Sequence, residues 1–224
     1  MTNAAMTPIT LCVFAKPPVP GQVKTRLART VGRDAAADLA RAFFDDTLAG
    51  LVVLPWAHVI VALAAPWPAC PFPGGQIWLQ GPGDLGQKME AVLARALARG
   101  LPVMALGTDA PGLPVARLEA ARDLLLAGRA EAVLGPADDG GFYLLGLSSC
   151  PPGVLHDLPW SVPETCGATA ARLQSRGMSV ALVESWFDVD DEVGLRRLSH
   201  LLARGEVSAP RTAEVIARLG IGLR

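Results

Sequence analysis

Four short stretches of the chain carry residue types that can do chemistry. The first is FAKPPVPGQVKTRLA, Phe14 to Ala28, where Lys24 and Arg26 flank Thr25 after a loop of three prolines and Gly21. Two cations on a stiffened loop suit phosphate oxygens, which Arg takes through paired donors and Lys as a point charge. The spacing is not that of a G-x-x-x-x-G-K-[ST] phosphate loop, because Pro18 and Val23 stand where its two glycines belong. A turn with solvated cations explains the same residues. The second stretch is GTDAPGL, where Asp109 follows an apolar run. A carboxylate there suits Mg²⁺ or Mn²⁺, and equally suits the cap of a helix opening near Pro114. The third is GPADDGGFYLLGL, with Asp138, Asp139, Gly140 and Gly141 between two apolar runs. It reads either as a hairpin turn or as backbone offered to a sugar or other acceptor. The fourth is WFDVDDEVGLRRL, where Asp188 and Asp190 alternate as strand positions do and Asp191 and Glu192 open a helix. One of these four acids is expected to be a helix cap. Asp188 or Asp190 can complete a metal site with Asp109.

Other signals are weaker. GPGDLG, Gly81 to Gly86, matches the G-x-G-x-x-G of dinucleotide-binding folds and has Asp109 a little over 20 residues downstream. Pro82 is awkward in such a loop, and the motif begins after 80 residues of α/β pattern. A glycine-rich turn, or a loop touching a nucleotide base, are the other readings. Trp160 in LPWS suits a pocket wall or core packing. The three histidines form no pattern, and no G-x-S-x-G or spaced Ser/His/Asp set is present. Cys12, Cys70, Cys150 and Cys166 are far apart, without a C-x-x-C pair or zinc spacing, and read as reduced thiols.

These residues must be positioned by regular elements, and the pattern supplies them. Apolar strands are expected at 9–15, 58–64, 76–80, 102–107, 131–136, 142–147 and 178–184. Helices are expected at 33–51, 84–100, 114–128, 191–203 and 210–219. The alternation predicts an α/β fold with a mainly parallel sheet. In such sheets ligands bind beyond the carboxyl ends of the strands. Lys24, Arg26, Asp109, Asp138, Asp139, Asp188 and Asp190 all follow strands. That convergence describes cations and carboxylates around one crevice.

Composition narrows the classes. The chain has 224 residues, 51% hydrophobic, with a formal charge of −1. This suits one domain over 9–224 after a short tail at 1–8. The near-neutral charge and the absence of a basic stripe argue against nucleic acid. From Leu48 to Cys70 there is no Asp, Glu, Lys or Arg, but Pro55, Pro66, Pro68 and His58 interrupt the run. A helix end, a turn and a buried strand are expected there in place of a membrane span. No secretory signal pattern opens the chain, so a cytoplasmic enzyme or binding protein is expected.

Taken in order, FAKPPVPGQVKTRLA, GDLGQKM, GTDAPGLP, LGPADDGGFYLLGL, LPWS and DVD resemble a family of small bacterial GT-A-like transferases. Its members are described as nucleotide-diphospho-sugar transferases or arsenosugar-biosynthesis glycosyltransferases. The resemblance runs from about residue 9 to 220. A more distant similarity is to molybdenum-cofactor and phospholactate guanylyltransferases. The resemblance implies a GT-A fold, a mainly parallel mixed sheet flanked by helices. It implies a nucleotide site at Ala15, Pro17, Gly21, Lys24, Arg26, Leu85, Gly86, Gln87, Thr108 and Asp109, with Lys24, Arg26 and Asp109 catalytic. It implies Mg²⁺ or Mn²⁺ on Asp109 with Asp188 or Asp190, and a small acceptor near Asp138, Asp139, Gly140, Gly141 and Trp160. The D-x-D of many GT-A glycosyltransferases is reduced here to Thr108-Asp109-Ala110, so a distant second ligand is needed. The expected activity is glycosyl transfer from a nucleotide-diphospho-sugar. The alternatives are nucleotidyl transfer with release of pyrophosphate, an NAD(P)-dependent oxidoreductase using GPGDLG, and a nucleotide-binding module without catalysis.

Overall fold

The run ITLCVFA forms strand β1 (Ile9–Ala15), buried along nearly its whole length. It shows no polar alternation because both of its faces are covered. β1 pairs in parallel with β2 (Ala57–Leu63) on one side and with β4 (Val103–Leu106) on the other. β2 pairs in parallel with β3 (Gln76–Leu79). β6 (Phe142–Leu147) runs antiparallel between β4 and β5 (Ala132–Pro136), and β7 (Val180–Leu182) pairs in parallel with β5. The seven strands lie in the order β3-β2-β1-β4-β6-β5-β7. The computed structural model describes residues 8–72 and 75–220. The tail expected at 1–8 therefore lies, apart from Pro8, outside the described residues.

Helices cover both faces of the sheet. They are α1 (Ala28–Val31), α2 (Arg33–Val52), α3 (Leu85–Leu97), α4 (Val115–Leu126), α5 (Thr165–Ser175), α6 (Glu192–Ala203) and α7 (Pro210–Arg218). Phe44, Leu48 and Leu51 of α2 and Leu118 and Leu125 of α4 form one core with β1 and β4. Val92 and Leu93 of α3 and Leu173 of α5 form a second core on the opposite face. A third apolar cluster gathers Leu27, Leu39 and Phe43 with Phe187, Val189, Leu195, Leu198 and Ile216. α7 docks on α2 through Asp46, whose carboxylate accepts hydrogen bonds from the Arg211 and Thr212 amides at 3.1 and 2.8 Å. That carboxylate satisfies two of the amide donors that a helix start leaves free.

The expected α/β architecture is the one observed. The uncharged run from Leu48 to Cys70 is the end of α2, a turn, β2 and the segment beyond it. Among the described residues no helix is long and apolar enough to cross a membrane. Helix α5 was not expected: TCGATAARLQS offers small residues and only one large aliphatic, so its periodicity is faint. The last strand is also shorter than the 178–184 expected. All four cysteines are free thiols, and burial pushes Cys12 and Cys150 up to about 12.

Candidate active site at the carboxyl ends of the central strands

After β1 the chain steps outward to β2 and β3, then returns to place β4 on the other side of β1. The carboxyl ends of β1 and β4 therefore flank a topological switch point, where open α/β sheets bind ligands. A crevice of about 640 Å³ opens there, lined from the β1 loop, the start of α3, the β4 loop, the β5–β6 hairpin and the segment 188–190.

Its charged end is assembled by the third apolar cluster. Val23 and Leu27 are buried, which draws the β1 loop inward around Lys24. Phe187 and Val189 are buried in alternation with the partly exposed Asp188 and Asp190, so both acids face the crevice. The Val189 amide donates to the Asp109 main-chain oxygen at 2.7 Å, which ties the acidic segment to the β4 loop. Lys24 Nζ then lies 2.6 Å from Asp109 Oδ1 and 2.7 Å from Asp190 Oδ1. The Lys24 side chain is 6% exposed, whereas those of Asp109 and Asp190 are 51% and 42% exposed. The ammonium is inside and the carboxylates look outward. Lys24 has φ 46°, in the left-handed region that costs a non-glycine residue about 1 kcal/mol. The two ion contacts, with the Phe43 ring 5.5 Å from Nζ, offset that cost.

The charges are unevenly balanced. Burial alone would push the Lys24 ammonium down, but Asp109 and Asp190 outweigh it and hold it above the ordinary lysine value. Asp190 is opposed by burial too, yet Lys24, aided by Arg26 and Lys16, holds it below the usual carboxylate range. Asp188 has no such partner. Burial, then the charge on Asp109, pushes it up to about 7 against the pull of Lys24, with Asp139 and Asp190 adding to the rise.

The crevice brings together Ala15, Lys24, Arg26, Leu85, Thr108 and Asp109 of the expected nucleotide site. Asp139, Gly141 and Trp160 of the expected acceptor site also line it, as do Asp188 and Asp190. Pro17 and Gly21 lie outside it, in the turn that follows β1. Lys24 faces carboxylates, which leaves Arg26 and Lys16, both exposed, as the cations that look into open space. Lys16 was missed by sequence reasoning, although a cation directly after a buried strand was a signal. Gln22, Gln80 and Thr165 also line the crevice and carried no sequence signal.

Several expected site residues have structural work. Gln87 and Asp84 cap α3 reciprocally: the Gln87 amide donates to Asp84 Oδ1 at 2.9 Å, and the Asp84 amide donates to Gln87 Oε1 at 3.0 Å. This spends the Gly81–Gly86 turn on a helix start after the edge strand β3, whereas a dinucleotide fingerprint would follow a strand that flanks the switch point. Gly86 is a packing residue, since a Cβ there would lie 1.9 Å from the Leu155 carbonyl oxygen. The ADDGG segment is a hairpin turn: the Gly140 amide donates to the Ala137 carbonyl, and the Gly141 amide to Asp139 Oδ1. Gly140 sits at φ +88° with the Pro163 backbone where a Cβ would go. Asp138 turns away and pairs with Arg197 at 2.5 Å. Asp191 is the expected cap, accepting from the Gly194 amide at 3.0 Å. Asp109 caps nothing: Pro114 is the N-cap of α4 and makes no side-chain cap bond.

The segment that carries Trp160 is fastened to α3 by Glu90, which accepts from the Gly153 and Leu155 amides at 2.7 and 3.1 Å. Gly86→Ala should force this segment off α3. The expected cost is about 1–3 kcal/mol in urea unfolding, with a shift in tryptophan fluorescence.

The mostly parallel seven-stranded sheet flanked by helices matches the fold of a nucleotide-diphospho-sugar transferase, so the GT-A-like fold implied by the motifs is borne out. Residues 57–162 match the model of DUF2064, a group described as an uncharacterized protein conserved in bacteria. A candidate nucleotide-diphospho-sugar transferase from Desulfovibrio desulfuricans G20 is 28% identical, with a TM-score of 0.84 over 98% of this chain and 100% of that one. Rv0371c from Mycobacterium tuberculosis is 20% identical over 86% of this chain and 97% of that one, with a TM-score of 0.52. A cytidylyltransferase from Leptospira borgpetersenii is 14% identical over 95% and 94%, with a TM-score of 0.53. The last two likenesses are of fold alone. No curated protein matches the sequence.

Proposed function

We infer that the protein is a divalent-metal-dependent transferase with a nucleotide donor, and that it moves a glycosyl group from a nucleotide-diphospho-sugar to a small acceptor. One observation carries this reading: Arg26 and Lys16 face Asp109, Asp188 and Asp190 across a single crevice at the switch point of a GT-A sheet. The likeness to the Desulfovibrio protein supports the glycosyl form. Among the described residues no three His, Cys, Asp or Glu side chains already surround one point at metal distance. Asp109 and Asp190 nevertheless share one point, held by the Lys24 ammonium, and the crowded Asp188 carboxyl lies beside them. This hard-oxygen set with a stand-in cation fits Mg²⁺ or Mn²⁺. Such an ion supplies charge stabilisation to a departing diphosphate.

The side chains do the rest by position. Arg26 and Lys16 hold phosphate oxygens from the loop side. The prolines of that loop lower the entropy lost on binding. Trp160 stands edge-on to Phe142 with centroids 6.0 Å apart and, with Gly141 and Asp139, forms the wall for the acceptor. Free cysteines suit a reducing cytoplasm. A second reading, nucleotidyl transfer from a nucleoside triphosphate, is favoured by the cations of the loop, which match a pyrophosphate leaving group.

Calorimetric titration with nucleotide sugars, nucleoside triphosphates and NAD(P), each with and without Mg²⁺, tests the inference. Mg²⁺-dependent binding that weakens at least tenfold in Arg26→Ala is the expected result. Release of a nucleoside diphosphate identifies glycosyl transfer, and release of pyrophosphate identifies the second reading. Metal-independent NAD(P) binding, or no nucleotide binding at all, refutes both.

A further inference from the structure

The chain has 20 cationic side chains but only three lysines, Lys16, Lys24 and Lys88. Lys24 is the one whose ammonium is shut inside between two carboxylates. Its contacts of 2.6 and 2.7 Å already balance these carboxylates, so a second cation at the same oxygens is opposed by its charge. A magnesium–oxygen bond needs about 2.0–2.1 Å, and an ammonium beside a dication is strongly repelled. The residue type also matters. Arg would lock onto the carboxylates through a rigid fork, whereas Lys is a point charge on a flexible four-carbon stem and can leave. Its exit is open: Thr25 and Arg26 are exposed, and Lys24, Thr25 and Arg26 all border the crevice.

We propose that Lys24 is the resident counter-ion of Asp109 and Asp190, and that it and the divalent metal hold these carboxylates in turn. Arrival of the metal expels the ammonium into the crevice, where the phosphate oxygens of a metal-bound nucleotide receive it. The second half rests on the transferase reading above; the exchange itself does not. Metal alone then binds weakly, because it must displace a paired cation. Nucleotide alone finds Lys24 engaged elsewhere. The two together satisfy every charge, so each raises the affinity for the other by the same factor.

The test uses Mn²⁺ on the full chain without nucleotide. Lysines are acetylated with an amine-reactive ester and the rate at each is read by mass spectrometry, with Mn²⁺ binding followed by electron paramagnetic resonance. Without metal, Lys24 should react at least tenfold more slowly than Lys16. Saturating Mn²⁺ should raise the Lys24 rate at least tenfold and leave that of Lys88 unchanged. In parallel, Lys24→Met should bind Mn²⁺ at least tenfold more tightly than the natural chain. Where that variant folds only with Mn²⁺ present, the exchange is supported. Where it does not fold at all, the labelling of the natural chain decides. Bound Mn²⁺ beside an unreactive Lys24, a folded Lys24→Met with no gain in affinity, or no Mn²⁺ binding up to tens of millimolar each overturns the proposal. Because no nucleotide is present, a chain that fails to bind nucleotides refutes the transferase reading and leaves this result standing.

Discussion

Asp109→Asn should lower turnover about 10²–10³-fold, the usual loss when a preorganised electrostatic group is removed from a transfer site. It should lower stability only modestly. The Asp109 side chain is half exposed, Lys24 keeps Asp190 as partner, and the bond from the Val189 amide uses the Asp109 main chain, which Asn retains. The Lys24 ammonium is buried, but the carboxylate it loses is half solvated and Asp190 still balances its charge, so the expected cost is about 1–2 kcal/mol. Urea unfolding and steady-state rates on the same preparation separate the two effects. A large loss of stability with unchanged turnover would assign Asp109 to the fold and remove it from the reaction.

The second large effect is a pH dependence set by Asp188. Its folded-state pKa is raised to about 7 from an ordinary 3.8, so the folded chain holds a proton there that the unfolded chain has lost. The stability this proton confers is complete below the unfolded pKa and is lost as pH rises through the folded one. Stability should therefore fall between about pH 4 and pH 7, by roughly 1–4 kcal/mol from this group in the absence of metal. Asp190 has the opposite sign but acts below its ordinary value, and Lys24 acts only above pH 10, so neither masks this window. Asp188→Asn should flatten the slope and make the metal-free protein the more stable one at pH 8. Added Mg²⁺ should stabilise the natural chain more at pH 8 than at pH 5. Thermal unfolding across this range, with and without the ion, measures all three. A natural chain whose stability is flat from pH 4 to 7 would mean that Asp188 ionises normally.

The sheet was legible in the sequence because buried parallel strands are written as nearly continuous apolar runs, as in ITLCVFA and PVMALG. The charged residues at their ends pointed to the crevice for the same reason. Helix α5 was not legible, because a helix built from Thr, Ala and Gly has little apolar contrast. Within the motifs, spacing could not tell a ligand-facing residue from a packing one. Gly86 and Gly140 stand beside Asp84 and Asp139 in short conspicuous stretches, yet each is needed because another segment's backbone touches it. Asp138 and Asp139 are neighbours in sequence and point to different partners, Arg197 and the Gly141 amide. The ammonium between Asp109 and Asp190 joins residues 85 and 166 positions away from Lys24, and only the folded chain shows it.

The two ends of the crevice rest on separate apolar foundations. The charged end stands on the cluster of Leu27, Phe43, Phe187 and Val189, and the Trp160 end on the cluster of Leu155, Leu158 and Leu173 beneath Phe142. Distant groups without shared partners respond to substitution nearly additively. Changes around Trp160 and Phe142 can thus accumulate without loosening the charge cluster. What is recognised beside the tryptophan is free to diverge, by descent or by engineering, while the apparatus that handles charge is inherited intact.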